Sequence, residues 1–378
     1  PNAFRHYGLI GMYGSLAAQR DLAFLPLATG MSLLSAWAGV TSEVLGRTRP
    51  ISSPSLEEPR LHPKKDFNLD PSITTSVTPL SPFCNLHHLQ KDANSSKESF
   101  LIVSPNSGTR ATITRDLVTS LLPEHDVHIL EWKDPRWLPA SIRFDLDDYT
   151  DSVREAIRQV PKCNLVGISQ SGIPAVVATA LMQAQGDAAS PSNLIIMGSP
   201  INAHLDTHHV NWMMQQSVQA ARFGFTADHL FARVSEDLPG AGRLVLAPHM
   251  QQGLYAPTHD MKPSYGGEQY LPAEQIRHTL QRIFKAPLLA KGQYEHRGEC
   301  IDTMAITCGV MSIVGAQDQI CSPAQTEALH NITPAAETHL RHREAEAGHY
   351  GLVYGKNVPS IATAMKAFVR RPQTVLAA

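Results

Sequence analysis

The chain has 378 residues, which is long enough for one large domain or up to three small ones. Its composition, 43% hydrophobic and 17% charged, is that of an ordinary globular protein and excludes intrinsic disorder of the whole chain. The 32 Lys and Arg residues nearly balance the 34 Asp and Glu residues, so no net field attracts a polyphosphate backbone. We therefore expect no nucleic-acid partner.

The cysteines are dilute and widely spaced, and they form neither C-x-x-C pairs nor zinc-finger spacings: Cys84, Cys163, Cys300, Cys308 and Cys321. This usage argues against a disulfide scaffold and against a structural zinc site. It fits reduced thiols in a cytoplasmic protein best, although so long a chain leaves room for one or two bridges.

The N-terminal run from Leu22 to Ser42 contains no charged side chain, which raises the question of a signal peptide or a membrane-spanning helix. Pro26, Gly30 and Gly39 interrupt the run, so it is only moderately apolar for a span. Two other interpretations are open: a helix pair packed on the core, or an amphipathic segment that lies on an apolar surface. We favour packing on the core, and secretion or a periplasmic location stays open.

Residues 47–82 are rich in Pro, Ser and charge without a helical period, which predicts an extended connector. After it, short apolar runs alternate with helix-like stretches. This alternation predicts an α/β fold, in which helices cover both faces of a mostly parallel sheet. The predicted strands run from Phe100 to Val103, Val127 to Leu130, Asn164 to Ile168, Asn193 to Met197, Gly309 to Val314 and Thr338 to Arg341. The predicted helices run from Arg110 to Leu122, Asp148 to Val160 (capped by Asp147), Ile173 to Met182, Pro323 to His330 and Val358 to Val369.

The alternation is lost between residues 201 and 301, where helix-like pieces are separated by turns rich in Pro and Gly. We interpret this segment as an insertion. The predicted organisation is an N-terminal segment and connector (1–82), a core in two pieces (83–200 and 302–378), and a largely helical lid (201–301).

The strongest local signal for chemistry lies at the end of the strand predicted to close at Ile168. The sequence there is Gly-Ile-Ser169-Gln-Ser171, followed by Gly172. This is the G-x-S-x-small pattern of a nucleophile elbow, a turn so tight that only small residues fit two places before and after the nucleophile. Gly167 and Ser171 occupy those places. The pattern predicts that Ser169 is a nucleophile, although a plain junction between a strand and a helix could look the same.

Two later segments supply partners for this serine in the chain order of an α/β-hydrolase, namely Ser, then Asp, then His. Asp318 follows the apolar strand that starts at Gly309, and His349 lies in a Gly-flanked loop before the last helix. A free hydroxyl is a weak nucleophile, so His349 would take its proton and Asp318 would fix the tautomer. The alternatives are a helix-capping role for Asp318 and a structural role for His349.

A tetrahedral intermediate also needs two hydrogen-bond donors for its oxyanion. The first is predicted to be the backbone N–H of Gln170, directly after the nucleophile, and the second comes from the loop after an early strand. In that loop Pro105 has no N–H, so Asn106 is the predicted donor and Ser107 the reserve.

The 18 histidines suggest a metal site, above all at His204, His208 and His209. No H-E-x-x-H motif or carboxylate-bracketed cluster accompanies them, so we expect no metal. Trp132 and Trp137 could line a pocket, but packing at the sheet edge is the simpler interpretation.

From about Phe83 to Val369 the chain resembles the intracellular polyhydroxyalkanoate (poly-3-hydroxybutyrate) depolymerases. Several of the matching stretches have no evident catalytic logic, so their joint occurrence points to common descent. They are Ser107-Gly108 with Ala111-Thr112, Glu124-His125-Asp126-Val127 with Trp132, Asp147-Asp148-Tyr149, Ile173-Pro174 with Ala180-Leu181-Met182, Pro239-Gly240-Ala241-Gly242-Arg243, Lys291-Gly292 with His296-Arg297-Gly298-Glu299, and Gly348-His349-Tyr350-Gly351.

The resemblance implies an α/β-hydrolase without a cofactor that cleaves 3-hydroxyalkanoate ester bonds in storage granules. Its partners would be a polyester or hydroxyalkanoate oligomer substrate and the granule surface. One departure matters: known members carry Cys-Gln-Pro at the elbow, whereas this chain has Ser169-Gln170-Ser171. The substrate is therefore open between native granules, denatured polymer, oligomers and other polyesters, and a general carboxylesterase, an acyltransferase or a non-catalytic granule-binding protein are the alternatives.

Overall fold

The computed structural model describes residues 61–91, 98–106, 110–133, 138, 142–206 and 272–370. The charge-free run from Leu22 to Ser42 and most of the predicted lid lie outside these residues. Within them, no helix combines the length and the apolar character that crossing a membrane requires. All five cysteines are described, and none of them is bridged.

The centre of the fold is an eight-stranded sheet of order β1-β2-β4-β3-β5-β6-β9-β10. The six strands from β4 to β10 in that order are mutually parallel, and β1 and β2 add an antiparallel edge. The α/β class predicted from the alternation is therefore confirmed. The strands are β1 Thr74–Ser81, β2 Cys84–Gln90, β3 Ser99–Val103, β4 Asp126–Trp132, β5 Asn164–Ile168, β6 Asn193–Met197, β9 Gly309–Gly315 and β10 His339–Glu344, and a separate hairpin comprises β7 Glu295–His296 and β8 Glu299–Cys300.

Helices pack on both faces of this sheet. On one face, α2 and α8 contact each other and share a buried cluster with Ile102, Val166, Ile195 and Met311. On the other face α3 contacts α4, and the strand residues beneath these two helices are buried as well. The described helices are α1 Pro63–Asp66, α2 Arg115–Leu121, α3 Leu146–Gln159, α4 Gly172–Ala184, α5 Ala273–Thr279, α6 Pro323–Glu327, α7 Leu329–Ile332 and α8 Val358–Val369.

Two predicted elements differ from the structure at the edges of the core. The connector predicted over 47–82 contains β1, so the sheet begins before the expected boundary at residue 83. The strand escaped prediction because it is an exposed edge: most of its side chains face solvent, Pro79 interrupts it, and no apolar alternation results. The helix predicted from Pro323 to His330 is instead two short helices, α6 and α7.

The cap of α3 also differs from the prediction. Asp145, and not Asp147, is the N-cap, since its carboxylate accepts from the N–H groups of Asp147 and Asp148. The Asp148 carboxylate in turn accepts a hydrogen bond from the Asp145 N–H, which completes a capping box. Asp147 is thereby free to make contacts elsewhere.

Candidate active site

Ser169 lies at a strained turn between β5 and α4. It adopts a left-handed backbone with a φ of 55°, a conformation that residues other than Gly rarely accept. Close approach of the chain on either side enforces the turn. A Cβ at Gly167 would lie 2.8 Å from the Cα of Gly172 and 2.9 Å from the Cβ of Ala175, and one at Gly172 would collide with the hydroxyl of Ser199. The elbow geometry therefore requires glycine at both places.

Ser171, which replaces the last glycine of the usual motif, is fully buried and ties the elbow to the sheet. Its Oγ accepts from the Ile168 N–H at 2.7 Å and can donate to the Val103 carbonyl at 2.9 Å or the Ile168 carbonyl at 2.8 Å. The sequence indicated only that residue 171 must be small. The structure shows that its hydroxyl also has a role, because it joins β5 to β3. The residue that must lack a side chain is the next one, Gly172.

The three residues predicted as a triad are brought together. Ser169 Oγ lies 3.0 Å from His349 Nε2, and His349 Nδ1 lies 2.7 Å from Asp318 Oδ2. A carboxylate only accepts hydrogen bonds, so the imidazole proton resides on Nδ1 and Nε2 presents its lone pair to the serine hydroxyl. Ser169 is half-buried, whereas Asp318 is almost completely buried.

Both carboxylate oxygens of Asp318 are occupied. While Oδ2 accepts from His349, Oδ1 accepts from the N–H groups of Ile320 and Cys321 at 2.9 and 2.8 Å. The following helix α6 has its own cap, because Ser322 accepts from the Gln325 N–H. Asp318 is therefore no helix cap, and its second oxygen fixes the carboxylate in the plane that His349 uses.

Two glycines that the sequence did not single out let the histidine loop approach the sheet. Gly198 follows β6 with a φ of 52°, and a Cβ there would lie 3.3 Å from His349 Nδ1 and 3.0 Å from Leu352 Cδ1. A Cβ on Gly315, at the end of β9, would collide with the carbonyl of Ala347. Both glycines share one feature in the sequence. Gly198 directly follows a mostly apolar strand, and Gly315 ends one.

The predicted oxyanion donors stand differently. Gln170 directly follows Ser169 in the tight turn Ser169–Ser171. Asn106 is buried in the loop after β3, and its side-chain nitrogen donates to Gln275 Oε1 at 2.8 Å. The reserve donor, Ser107, lies outside the described residues.

The other residues singled out in the sequence lie away from the triad or outside the description. His204 Nε2 hydrogen-bonds the carbonyl of Phe284 at 3.0 Å, and His208, His209 and Trp137 are not described. Trp132 is buried in β4, where its indole donates to the Ser104 carbonyl at 2.8 Å. That contact helps to fix the start of the loop that contains Asn106.

The site lies where a parallel sheet of this class places its ligands. β5 is flanked by β3 and β6, and Ser169, Asn106, Asp318 and His349 follow the carboxyl ends of β5, β3, β9 and β10. These ends meet at one edge of the sheet, at the point where successive strands depart in opposite directions. The arrangement offers a hydroxyl with a base, a buried carboxylate behind the base, and the backbone donor of Gln170.

Solved structures with low identity are similar to the chain. An esterase of Pyrobaculum calidifontis has a TM-score of 0.46 at 10% identity, covering 81% of this chain and 88% of that chain. A bromoperoxidase from Bacillus anthracis has a TM-score of 0.45 at 11% identity, covering 79% and 100%. A thermophilic esterase from Thermogutta terrifontis has 0.40 at 17%, covering 79% and 97%. Likenesses at this level carry no argument about the chemistry, and no curated protein sequence matches the chain.

The strand order and the elbow define the chain as an α/β-hydrolase. Residues 263–373 match the family model described as the PHB de-polymerase C-terminus. Over these residues the chain is similar to the PHB depolymerases, in agreement with the resemblance drawn from its sequence. The class of the chain is that of the carboxylic ester hydrolases.

Proposed function

We propose that the protein is a serine hydrolase that cleaves the ester bonds of polyhydroxyalkanoate, or of its oligomers, through an acyl-enzyme on Ser169. The observation that carries the proposal is the chain of contacts from Ser169 Oγ through His349 to the buried Asp318, at 3.0 and 2.7 Å. The family match over residues 263–373 supports the polyester substrate.

In the first half of the reaction, Ser169 Oγ attacks the ester carbonyl while His349 Nε2 accepts the hydroxyl proton. The buried carboxylate of Asp318 stabilises the imidazolium and holds the ring in place. Gln170 donates its backbone N–H to the developing oxyanion, and the loop after β3 supplies the second donor.

The intermediate collapses when His349 returns the proton to the leaving alcohol oxygen and the ester C–O bond breaks. In the second half, water takes the place of the alcohol: His349 accepts a water proton, the hydroxide attacks the acyl carbon, and the Ser169 oxygen leaves with the proton. The products are an acid and an alcohol, with no change in oxidation state and no cofactor required.

Serine at the elbow distinguishes this chain from the family members that carry cysteine there. A hydroxyl is far less acidic than a thiol, so the reaction depends more strongly on His349 as a base. Asp318 is held at both oxygens, which suits this greater demand on the histidine.

The test is a set of parallel assays on one preparation with amorphous polymer, hydroxybutyrate trimer and a short nitrophenyl ester. We expect Ser169-dependent hydrolysis of the polymer or the trimer. Hydrolysis of the nitrophenyl ester alone would indicate a general carboxylesterase, and transfer to an added alcohol in place of water would indicate an acyltransferase. Failure of a fluorophosphonate to label the protein would contradict the proposal and favour a binding protein.

We further propose that the enzyme works at the cytoplasmic granule surface. For the run from Leu22 to Ser42 we favour packing on the core, and adhesion to granules is its second interpretation, since the run contains Leu, Phe and Trp side chains and no charged one. If the run supplies adhesion, truncation before Gly46 weakens co-sedimentation with granules and spares trimer hydrolysis. Equal loss of both activities would show instead that the segment packs on the core.

A further inference from the structure

A buried glutamine from the C-terminal part of the predicted lid holds the loop that follows β3. Gln275, on α5, is 1% exposed, and Asn106 is 3% exposed. Gln275 Oε1 accepts from Asn106 Nδ2 at 2.8 Å, and Gln275 Nε2 donates to the Asn106 backbone carbonyl at 3.2 Å. The pair joins positions 169 residues apart in the chain. One side chain therefore fixes both the backbone and the side chain of Asn106.

The directions of these two hydrogen bonds are determined by chemistry. A backbone carbonyl only accepts, so the atom of Gln275 that faces it is the amide nitrogen. The other atom is then the oxygen, and it requires the amide nitrogen of Asn106 as donor. A residue that supplies only an acceptor, or only a donor, at position 275 cannot reproduce the arrangement.

The segment that carries Gln275 is itself fixed to the core. Arg282, one turn beyond α5, pairs with Asp147 at 2.7 Å. Arg297 pairs with Asp148 at 2.6 Å and with Asp151 at 2.9 Å. These contacts explain two stretches of the family resemblance that had no catalytic logic, because the acidic start of α3 forms ion pairs with Arg297 of the β7–β8 hairpin.

His296 strengthens the same attachment from inside the hairpin. Its Nε2 lies 3.0 Å from Asp151 Oδ1, and its Nδ1 lies 3.7 Å from Asp147 Oδ1. Burial disfavours the charged ring, but the two carboxylates outweigh burial and raise the pKa of His296 to about 9. The ring of His296 is therefore protonated at neutral pH.

Tyr149 of α3 also contacts this loop. Its buried hydroxyl donates to the Ser104 carbonyl at 3.3 Å. The loop after β3 is thus held by both Gln275 and Tyr149.

We infer that Gln275 is a positioning residue for catalysis: it sets the loop after β3, which must supply the second oxyanion donor, relative to the elbow. The inference rests on the proposed function, and it assigns to the C-terminal part of the predicted lid a role within the active site. Gln275 touches no reacting atom, so it acts through Asn106. Its effect belongs to transition-state stabilisation, which appears in kcat more than in KM.

The experiment measures kcat and KM for trimer hydrolysis by the wild type, Gln275→Ala and Gln275→Glu across pH. Removing one oxyanion donor outright costs about 10²–10³-fold in kcat, so a donor that is present but misplaced should cost about 10- to 100-fold in Gln275→Ala, with KM nearly unchanged. The matched control is Gln183→Ala, which removes a glutamine that accepts from the Thr307 N–H at 2.7 Å at the other end of the sheet. It should leave both constants unchanged.

The glutamate variant separates positioning from packing. When the carboxyl group of this variant is ionised, it has only acceptors, and one of them faces the Asn106 carbonyl and repels it. When the carboxyl group is protonated, it has one donor and one acceptor, as glutamine does. The ratio of its kcat to that of the wild type should therefore rise as the pH falls, whereas the ratio for Gln275→Ala stays flat. Any pH dependence that the variants share with the wild type cancels in both ratios.

Three results would overturn the inference: a kcat for Gln275→Ala within about threefold of wild type, a flat pH ratio for Gln275→Glu, or an equal loss in Gln183→Ala. If Gln275→Ala does not fold, the pH ratio of the glutamate variant decides alone. Failure of the proposed function looks different, because the wild type itself would then lack Ser169-dependent hydrolysis, and the inference would fall with it.

Discussion

The part of the chain that the structure describes contains two serine–histidine pairs with nearly the same geometry. At the elbow, Ser169 Oγ lies 3.0 Å from His349 Nε2, and in the core Ser312 Oγ lies 2.8 Å from His330 Nε2. What differs is the group behind each ring. Asp318 faces His349 Nδ1, whereas a second imidazole, that of His339, faces His330 Nδ1 at 2.8 Å.

Exposure and charge separate these two sites more clearly than distance. Ser312 is fully buried within β9, so no substrate reaches it, while Ser169 is half-buried on a turn at the end of β5. Burial, Arg341 and His339 together lower the pKa of His330 to about 4. A general base becomes charged when it accepts a proton, and the charged ring is disfavoured here. A hydroxyl beside an imidazole becomes a nucleophile only where a negative group and an opening to solvent accompany it.

The largest expected effect is that of Ser169→Ala. Loss of the nucleophile of a triad lowers kcat by about 10⁴- to 10⁶-fold, and the fold should survive because the change is small and the site is half-buried. Trimer hydrolysis and the thermal midpoint measure the two properties. Retention of more than about a tenth of wild-type kcat would exclude Ser169 as nucleophile.

Ser312→Ala is the matched control for that experiment. It removes the same hydroxyl from the other pair and leaves His330 Nε2 without its partner, which should cost about 1–3 kcal/mol of stability. At a temperature where the variant is folded, kcat should not change. A loss of activity comparable to that of Ser169→Ala would mean that the comparison of the two sites is mistaken.

Asp318→Asn should have the next largest effect. The amide can donate to His349 Nδ1 and so favours the tautomer that has no lone pair for the serine proton; we expect kcat to fall by about 10³- to 10⁴-fold. The pH profile of kcat should change with it. His339→Ala, which removes the group behind the other histidine, should leave kcat unaltered, and any comparable fall there would contradict the assignment.

Ser169→Cys tests whether the site can use a thiol, as related enzymes do. The base and acid are unchanged and a thiol ionises more easily, so measurable trimer hydrolysis should remain. The rate is compared with that of Ser169→Ala on the same substrate. An intact fold with no more activity than the alanine variant would show that the pocket is built around a hydroxyl.

The smallest expected effect is on stability and belongs to the second pair. The pKa of His330 is about 4 in the folded protein and about 6.5 in the unfolded chain, so between these values the unfolded state binds more protons. The stability that the neutral ring contributes is present above pH 6.5 and is lost as the pH falls towards 4. This amounts to on the order of 2–3 kcal/mol.

Urea unfolding at several pH values between 4 and 7 measures this loss. The variant His330→Gln should reduce the dependence of the unfolding free energy on pH by the equivalent of about one proton. The remaining slope belongs to other buried rings, such as His128, whose pKa burial also lowers to about 4. An unchanged slope would show that His330 is not the titrating group.

The sequence by itself determined the fold class, the order of the core elements and the chain order of Ser169, Asp318 and His349, the proposed nucleophile, acid and base. Apolar runs reveal buried parallel strands because both faces of such strands are covered, which is why β5 and β6 were predicted at their observed bounds. The elbow could be predicted for a similar reason. The backbone segments on either side of Ser169 approach so closely that only small residues fit beside it. Exposed β1 has no such constraint, and its sequence accordingly resembled a connector.

Only the tertiary structure decided which of the remaining polar residues act together. It showed that Ser171 ties the elbow to β3, that Gly198 makes room for the ring of His349, and that Gln275 holds the loop containing Asn106. The physical reason is sequence distance: such contacts join residues far apart along the chain, and neither periodicity nor spacing along a sequence encodes which two distant side chains will meet.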